Sequence, residues 1–143
     1  MNFEGNSLRC RSLEDGLVEL TFDLQGESIN KFNRATTEEF REVVSLLQQQ
    51  SNIRGLLVTS AKDVFIVGAD INEFMANFKV SQEEIAAGVR EAQKIFLDLE
   101  NLEFPSVCAI NGYALGGGFE MCLACTYRVV STRAKVGQPE VKL

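Results

Sequence analysis

The sequence predicts an α/β fold built around a mostly parallel sheet. Short apolar, β-branched runs typical of buried strands alternate along the 143 residues with segments whose apolar residues recur at helical spacing. No repeat, low-complexity stretch or Pro/Ser-rich linker divides the chain, and its length is that of one domain. Strands that alternate with helices imply parallel pairing through right-handed crossover connections.

The first strand and the first helix are predicted from two different periodicities. From residue 17 to residue 23, apolar side chains alternate with polar ones, which is the pattern of a half-buried strand. Thr36 and Glu39 have the spacing of a capping box, and apolar residues follow at helical offsets as far as Leu47. An amphipathic helix is therefore expected to begin near Thr36.

The middle of the chain predicts two more strands and a second helix. The apolar runs at residues 55–59 and 64–67 are separated by polar residues, as expected for buried strands. Ser81 and Glu84 repeat the capping-box spacing, and apolar residues then recur at steps of four and three as far as Leu99. The second helix is therefore expected to follow Ser81.

The last third of the chain predicts a strand, a helix and another strand. The apolar run at residues 107–110 follows Pro105 and predicts a buried strand, and residues 127–131 predict one more beyond an intervening helix. Residues 136–143 (VGQPEVKL) resemble a loop that leads into another element. Because this segment has neither a helix cap nor a polar tail, we expect the polypeptide to continue.

Charge and composition exclude several classes of function. Fourteen basic against 20 acidic residues give a net charge of −6, the wrong sign for a generic nucleic-acid binder. The absence of histidine removes Ser/His/Asp and Cys/His catalysis and HExxH zinc sites. No segment is apolar enough to span a membrane, and the acidic N-terminal segment lacks the features of a secretory signal, so a cytoplasmic protein is expected.

Glu120 is the first candidate for chemistry. It is the only formally charged residue between Phe104 and Tyr127, and a run of three glycines ends two residues before it. Glycines between a strand and a helix expose backbone N–H groups that can stabilise a developing oxyanion, and burial beside apolar groups would favour a protonated carboxyl suited to proton transfer. On this segment alone, a tight turn with an ordinary helix-start carboxylate is equally compatible.

Two further loops offer weaker candidates. Glu140 follows Pro139, which restricts the backbone, and two placed carboxylates could divide acid and base roles, although a solvated loop acid explains Glu140 more simply. Gly68 and Ala69 end an apolar run, and Asp70 can cap a helix that begins at Ile71. That loop is explained equally well by a glycine turn or by exposed backbone N–H groups.

The four cysteines favour packing over redox chemistry or metal binding. Cys122 and Cys125 form a CxxC, but they lie in an apolar segment, and Cys10 and Cys108 do not supply a second pair at zinc-ligand spacing. Without histidine ligands or a secretory signal, buried reduced thiols are the favoured interpretation.

Three ordered motifs resemble the enoyl-CoA hydratase/isomerase, or crotonase, superfamily. They are FIVGADINEF at residues 65–74, NGYALGGGFEMCLA at 111–124 and VGQPEVKL at 136–143. The resemblance covers essentially the whole chain and implies a crotonase-like (ClpP/crotonase) fold of repeated ββα units. The stretches MNFEG, GESINKFNR and KDVFIVGADI are particularly similar to the branch of the family found in bacterial fatty-acid β-oxidation complexes. Residues 1–143 are then expected to be the N-terminal part of one such domain.

The resemblance also implies the site residues and the reaction. Ala69 and Gly117 match the positions whose backbone N–H groups hold the acyl thioester oxygen, and Glu120 and Glu140 match the two catalytic glutamates. The implied reaction adds water to a 2-enoyl-CoA to give a 3-hydroxyacyl-CoA, together with a shift of a 3-enoyl to a 2-enoyl double bond. No cofactor or metal is implied. The implied partners are an acyl-CoA substrate and, in an oligomer of the fatty-acid oxidation branch, a thiolase subunit.

Two departures from the family pattern bear on these expectations. Gln138 stands where the fatty-acid oxidation branch usually has Leu, although single-domain hydratases often carry GQPE. The chain also ends near the middle of a complete crotonase domain. A noncatalytic crotonase-like scaffold or acyl-CoA-binding subunit, and another reaction on an acyl-CoA, therefore remain as alternatives to hydration.

Overall fold

A six-stranded mixed sheet is the centre of the fold in a computed structural model, which describes residues 1–77 and 79–142. Its strands are β1 (Asn2–Glu4), β2 (Leu8–Ser12), β3 (Leu17–Phe22), β4 (Gly55–Ser60), β5 (Ser106–Ile110) and β7 (Tyr127–Val130). The strand order is β1-β2-β3-β4-β5-β7, with β1 to β3 antiparallel and β3, β4, β5 and β7 parallel. The predicted α/β class with mostly parallel pairing is confirmed, and the N-terminal hairpin adds an antiparallel edge.

Four α-helices accompany the sheet within the described residues. They are α1 (Arg34–Gln48), α2 (Ile71–Asn77), α3 (Gln82–Glu100) and α4 (Gly117–Ala124). The capping box at the start of α3 is confirmed: the Ser81 hydroxyl accepts from the Glu84 N–H, and the Glu84 carboxylate accepts from the Ser81 N–H. Asp70 caps α2 as predicted, because its carboxylate accepts from the Asn72 N–H at 2.9 Å.

A short second sheet forms where the catalytic motifs were expected. Strand β6 (Ala114–Leu115) pairs in parallel with β8 (Val136–Gly137), and a parallel bridge joins Ile66 to Ala114. A second parallel bridge joins Phe32 to Ala69. These pairings bring together four segments that are far apart in sequence.

The core lies between the six-stranded sheet and helices α1, α3 and α4. Its largest fully buried side chains include Phe22, Phe40, Phe65 and Met121. Phe22 and Phe40 also belong to an aromatic cluster with the half-buried Phe32, whose ring centroid lies 5.8 Å from that of Phe22. This cluster connects the core to the segment that carries the second sheet.

The predicted capping box at Thr36 and Glu39 is wrong. Helix α1 begins two residues before Thr36, at Arg34, and Asn33 is its cap: the Asn33 side chain accepts from the Thr36 N–H at 2.8 Å. The Glu39 carboxylate instead accepts hydrogen bonds of 2.8 to 3.0 Å from the N–H groups of residues 6–8, at the end of the β1–β2 loop and the first residue of β2. The Glu39 side chain, which the local spacing predicted to cap the start of α1, therefore makes a tertiary contact with residues 6–8 instead.

Two predicted buried strands differ from the structure. Residues 64–67 form no regular strand, because Ile66 makes only an isolated bridge and the neighbouring N–H groups bond to loop carbonyls. Strand β7 forms as predicted, at the edge of the sheet, but all four of its residues are exposed. Its Tyr127 and Val129 are 61% and 62% exposed.

The apolar face of α3 is only partly buried. Ile95 and Leu99 near its C-terminal end pack in the core, whereas Val89 in its N-terminal half is 50% exposed. The segment at 136–143 contains β8 and a 3-10 turn at Glu140–Lys142, while Leu143 lies outside the described residues. In the part of the chain that the structure describes, no helix has the length and apolar character needed to cross a membrane.

Candidate active site

The first part of the site is the glycine turn that starts α4. Gly116 follows strand β6 with φ of 54° and ψ of −127°, a conformation that L side chains rarely adopt. Its carbonyl accepts from the N–H groups of Phe119 and Glu120, both at 2.9 Å. The N–H of Gly117 has no protein acceptor among the described residues, as expected for the first turn of a helix.

The second part is the loop at Gly68 and Ala69. Gly68 has φ of +102°, its carbonyl accepts from the Phe32 N–H at 2.8 Å, and the Asp70 N–H donates to the Phe32 carbonyl at 3.2 Å. These two bonds flank Ala69 and leave its own N–H without a protein acceptor within the residues described. Ala69 itself is exposed.

The two loops lie against each other. A Cβ placed on Gly68 would be 3.1 Å from the Leu115 carbonyl oxygen and 4.0 Å from the Gly116 Cα. The Leu115 N–H donates to the Ile66 carbonyl at 3.0 Å, which ties the strand before one loop to the segment before the other. The structure therefore brings Ala69 and Gly117 to the same end of the second sheet.

The two candidate glutamates converge on the glycine turn. Glu120 Oε2 lies 4.0 Å from the position of a Cβ on Gly117, and Glu140 Oε1 occupies the space that a Cβ on Gly116 would need. Both glutamates are exposed. The arrangement therefore presents two carboxylates beside two backbone donors, on a surface open to solvent.

The position of Glu140 follows from strand pairing. Strand β8 pairs with β6, and the Gly116 N–H donates to the Gly137 carbonyl at 2.9 Å. Three residues after Gly137, the chain turns through Glu140–Lys142, where the Lys142 N–H donates to the Pro139 carbonyl at 2.9 Å. The turn carries the Glu140 carboxylate back over Gly116.

The expected burial of Glu120 is wrong for this chain. The residues before and after it, Phe119 and Met121, are half-buried and buried, but the Glu120 side chain points outwards into solvent. The apolar character of the segment reflects the packing of the opposite side of α4, where Gly118 and Cys122 are buried. Consecutive helical residues point in different directions, so apolar neighbours in sequence did not imply apolar surroundings.

Two residues that support the Ala69 loop were missed in the sequence. Asn30 is 1% exposed; its amide donates to the carbonyls of Phe22 and Phe65, and its side-chain oxygen accepts from the Leu24 N–H. Phe32 supplies the backbone bonds to the loop, and its ring lies 3.8 Å from the position of a Cβ on Gly117. A buried asparagine carries no local signal, because its partners come from segments up to 35 residues away.

An ion pair adjoins the same loop. Lys31 Nζ lies 3.0 Å from Asp70 Oδ2 and 3.6 Å from Glu27 Oε1. The hydrogen bond from Lys31 holds the pKa of the Asp70 carboxyl below its ordinary value, and the same bond raises the pKa of Lys31. Asp70 is therefore a carboxylate at neutral pH, directly after Ala69.

The cysteines pack in the core as predicted. All four are buried and free. The contact with the Cys108 thiol, together with burial, raises the pKa values of Cys122 and Cys125. No group of three or more His, Cys, Asp or Glu side chains in the described ranges 1–77 and 79–142 is arranged to hold a metal ion.

Comparison with known sequences identifies close relatives along the whole chain. The sequence profile of the family described as "Enoyl-CoA hydratase/isomerase" matches residues 13–143. "Fatty acid oxidation complex subunit alpha" of Pseudomonas entomophila is 56% identical over 143 residues, and its counterpart from Pseudomonas aeruginosa is 57% identical. In each case the match covers 100% of this chain and 20% of the relative.

Solved structures agree with this relationship. An enoyl-CoA hydratase from Bacillus anthracis superimposes with a TM-score of 0.82 at 26% identity, covering 95% of this chain and 52% of that chain. An enoyl-CoA hydratase from Shewanella pealeana, 23% identical, shares the fold with a TM-score of 0.87 over 95% of this chain and 51% of its own. The chain thus spans about a fifth of its curated relatives and about half of these solved hydratases. By profile, by identity and by the crotonase fold that these neighbours share, the chain belongs to the enoyl-CoA hydratase/isomerase family.

Proposed function

We propose that this chain supplies the catalytic glutamates and the oxyanion hole of an enoyl-CoA hydratase that acts in fatty-acid β-oxidation. The observation that carries the proposal is the convergence of the Glu120 and Glu140 carboxylates on the Gly116–Gly117 turn, beside the Ala69 loop. Family membership supports an acyl-CoA thioester as the substrate class.

The backbone donors act on the thioester carbonyl. The N–H groups of Ala69 and Gly117 have no protein acceptors among the residues described, so both can donate to one substrate oxygen. When water attacks C3 of the 2-enoyl thioester, the electrons of the double bond move toward the carbonyl and negative charge develops on that oxygen. Donors held by a folded backbone stabilise this charge more than the neutral ground state, which lowers the barrier.

The two glutamates divide the proton transfers. They hold the water through hydrogen bonds, and one carboxylate takes a proton from it as its oxygen bonds to C3. The other glutamate, in its protonated form, delivers its proton to C2, and the proton taken from the water makes up for it before the next turnover. The double bond is thus replaced by one C–O and one C–H bond, and the product is a 3-hydroxyacyl-CoA. The same site would convert a 3-enoyl to a 2-enoyl thioester if one glutamate moves a proton from C2 to C4.

The assembly of the whole protein is also part of the proposal. We propose that residues 1–143 form the N-terminal part of one crotonase-like domain, since the chain covers 52% of a solved hydratase. The relatives named as subunits of a fatty acid oxidation complex support an oligomer, and we propose a thiolase subunit as the partner within it.

The test is hydration of crotonyl-CoA, followed by loss of the ultraviolet absorbance of the conjugated thioester. The full-length natural polypeptide that contains this chain is compared with its Glu120→Gln variant, which keeps the side-chain shape and removes the proton-accepting group. Exposed Glu100 on α3 provides the matched control, Glu100→Gln. We expect a fall in kcat of roughly 100- to 10,000-fold in the first variant and no change in the second.

Two results would contradict the proposal in different ways. Full activity of the Glu120→Gln variant would remove Glu120 from the mechanism. Tight binding of an acyl-CoA by the natural protein without any turnover would instead identify the noncatalytic acyl-CoA-binding scaffold.

A further inference from the structure

Asp70 caps helix α2, and its carboxylate therefore places a negative charge close to the proposed oxyanion hole. Its Oδ1 caps α2 by accepting from the N–H groups of Asn72 at 2.9 Å and Glu73 at 3.4 Å. Asp70 directly follows Ala69, whose N–H is one of the two proposed donors. A carboxylate at this position opposes the negative charge that develops on the thioester oxygen.

Lys31 supplies the opposite charge at short range. Its Nζ lies 3.0 Å from Asp70 Oδ2, the oxygen that makes neither capping bond. The side chains of Lys31 and Asp70 are 21% and 14% exposed, so the pair is held against the protein surface. Asp70 can therefore cap the helix with one oxygen and bind the ammonium with the other.

The backbone next to Lys31 holds the same loop. The N–H of Phe32 donates to the Gly68 carbonyl at 2.8 Å, and the Phe32 carbonyl accepts from the Asp70 N–H at 3.2 Å. The segment that aims the Ala69 N–H thus also carries the charge that balances Asp70. Lys31 therefore supplies the charge beside Asp70, and the next residue, Phe32, supplies the backbone hydrogen bonds that hold the Ala69 loop.

We propose that Lys31 is a positioning residue for hydration: it neutralises Asp70, so that a carboxylate can cap α2 without weakening the oxyanion hole at Ala69. Lys31 acts through Asp70 and need not touch the substrate. The inference rests on the proposed function, because it requires that the Ala69 N–H binds the thioester oxygen.

The proposal makes a prediction about which kinetic constant changes. The charge on the thioester oxygen is larger in the transition state than in the bound substrate, so an unbalanced Asp70 should lower kcat more than it raises KM. We expect the Lys31→Met variant to lose roughly three- to tenfold in kcat, with KM for crotonyl-CoA changed by less than about twofold. Lys31→Arg keeps the charge and should restore most of the rate.

A second pair of variants separates a charge effect from a structural one. Asp70→Asn keeps a side-chain oxygen for the cap and removes the negative charge. If Lys31 acts by neutralising Asp70, Lys31→Met should have no further effect in the Asp70→Asn background. An equal loss in both backgrounds would overturn the proposal and make Lys31 a purely structural residue.

Lys62 provides the matched control. Its Nζ lies 3.1 Å from Asp23 Oδ1 and donates to the Glu27 carbonyl at 2.8 Å, and the Lys62 and Asp23 side chains are 16% and 18% exposed. This ion pair therefore has a similar length and exposure without contacting residues 68–70. Lys62→Met should retain the wild-type kcat. If the kcat of Lys31→Met equals that of Lys62→Met, the proposal is wrong.

A spectroscopic readout tests the same point without turnover. A 4-(dimethylamino)cinnamoyl-CoA thioester absorbs at longer wavelength when its carbonyl is polarised by hydrogen-bond donors. We expect a smaller shift on binding to full-length Lys31→Met than to the wild type, and an unchanged shift with Lys62→Met. If the wild type hydrates crotonyl-CoA and Lys31→Met and Lys62→Met have the same kcat and the same spectral shift, only this inference is wrong. If the wild type shows no turnover, the proposed function itself is wrong.

Discussion

Glu140 lies directly over Gly116, with its Oε1 in the space that a Cβ on residue 116 would occupy. The two residues are joined through the pairing of β6 with β8, in which the Gly116 N–H donates to the Gly137 carbonyl. Gly116 thus has two independent reasons to be glycine: its φ of 54° and the carboxylate above it. The glycine run and the second glutamate form one structural unit.

Gly116→Ala is expected to impair both folding and activity. The variant strains the backbone and displaces Glu140, so we expect a loss of roughly 2 kcal/mol in the free energy of unfolding and a large fall in hydratase rate. Urea denaturation and the crotonyl-CoA assay measure the two effects. Gly26 also has positive φ, 77°, but nothing lies within 4 Å of its Cβ position, so Gly26→Ala isolates the backbone cost at roughly 1 kcal/mol. Equal effects of the two substitutions on stability and rate would show that the Glu140 contact is unimportant.

Glu140→Gln is expected to remove activity while leaving the fold intact. Glu140 is exposed, so replacing its carboxylate should change the free energy of unfolding by less than about 0.5 kcal/mol. If Glu140 takes part in proton transfer, kcat for crotonyl-CoA should fall by roughly 100-fold or more. Exposed Glu103 supplies the control Glu103→Gln, which should retain the wild-type rate. An unaltered kcat in Glu140→Gln would exclude this role.

Asn30→Ala is expected to destabilise the chain and loosen the Ala69 loop. The substitution leaves the Leu24 N–H and the carbonyls of Phe22 and Phe65 without their side-chain partner in a buried site. We expect a cost of roughly 2 to 4 kcal/mol in the free energy of unfolding, measured by urea denaturation. Asn52→Ala, at an exposed position, should cost less than about 0.5 kcal/mol. Comparable values for the two variants would mean that the Asn30 network contributes little.

Cys10 is expected to make stability depend on alkaline pH. Burial raises the pKa of its thiol from 9.0 to about 11, with the N-terminal ammonium opposing this shift. Between these pH values the unfolded chain releases a proton that the folded chain retains, so the contribution of Cys10 is fully present below pH 9 and is lost as pH rises to about 11. The total is roughly 2 to 3 kcal/mol.

The measurement compares unfolding free energies of the wild type and Cys10→Val between pH 8 and pH 11.5, spanning the shift from 9.0 to about 11. Valine fills the buried space without a titrating group, so the wild type should lose more stability than the variant over this interval. Parallel curves for the two proteins would show that Cys10 does not titrate differently in the folded state.

Local features of the sequence were enough to predict much of the fold. The alternation at residues 17–23 and the capping box at Ser81 and Glu84 correspond to β3 and the start of α3, because each depends on neighbours within a few residues. The same holds for Asp70, which caps the helix that follows it. The family motifs, including the glycine run, were likewise visible without coordinates.

Contacts between segments distant in sequence determined the features of the fold and of the site that the sequence did not predict. Glu39 turns toward residues 6–8 instead of its own helix start, and residues 64–67 bond to loop carbonyls instead of forming a strand, since in both cases the partners come from elsewhere in the chain. The exposure of Glu120 depends on which face of α4 meets the core. Only the folded chain brings Glu140 over Gly116 and Lys31 to Asp70, because hydrogen bonds and charges act through space over a few ångströms whatever the separation in sequence.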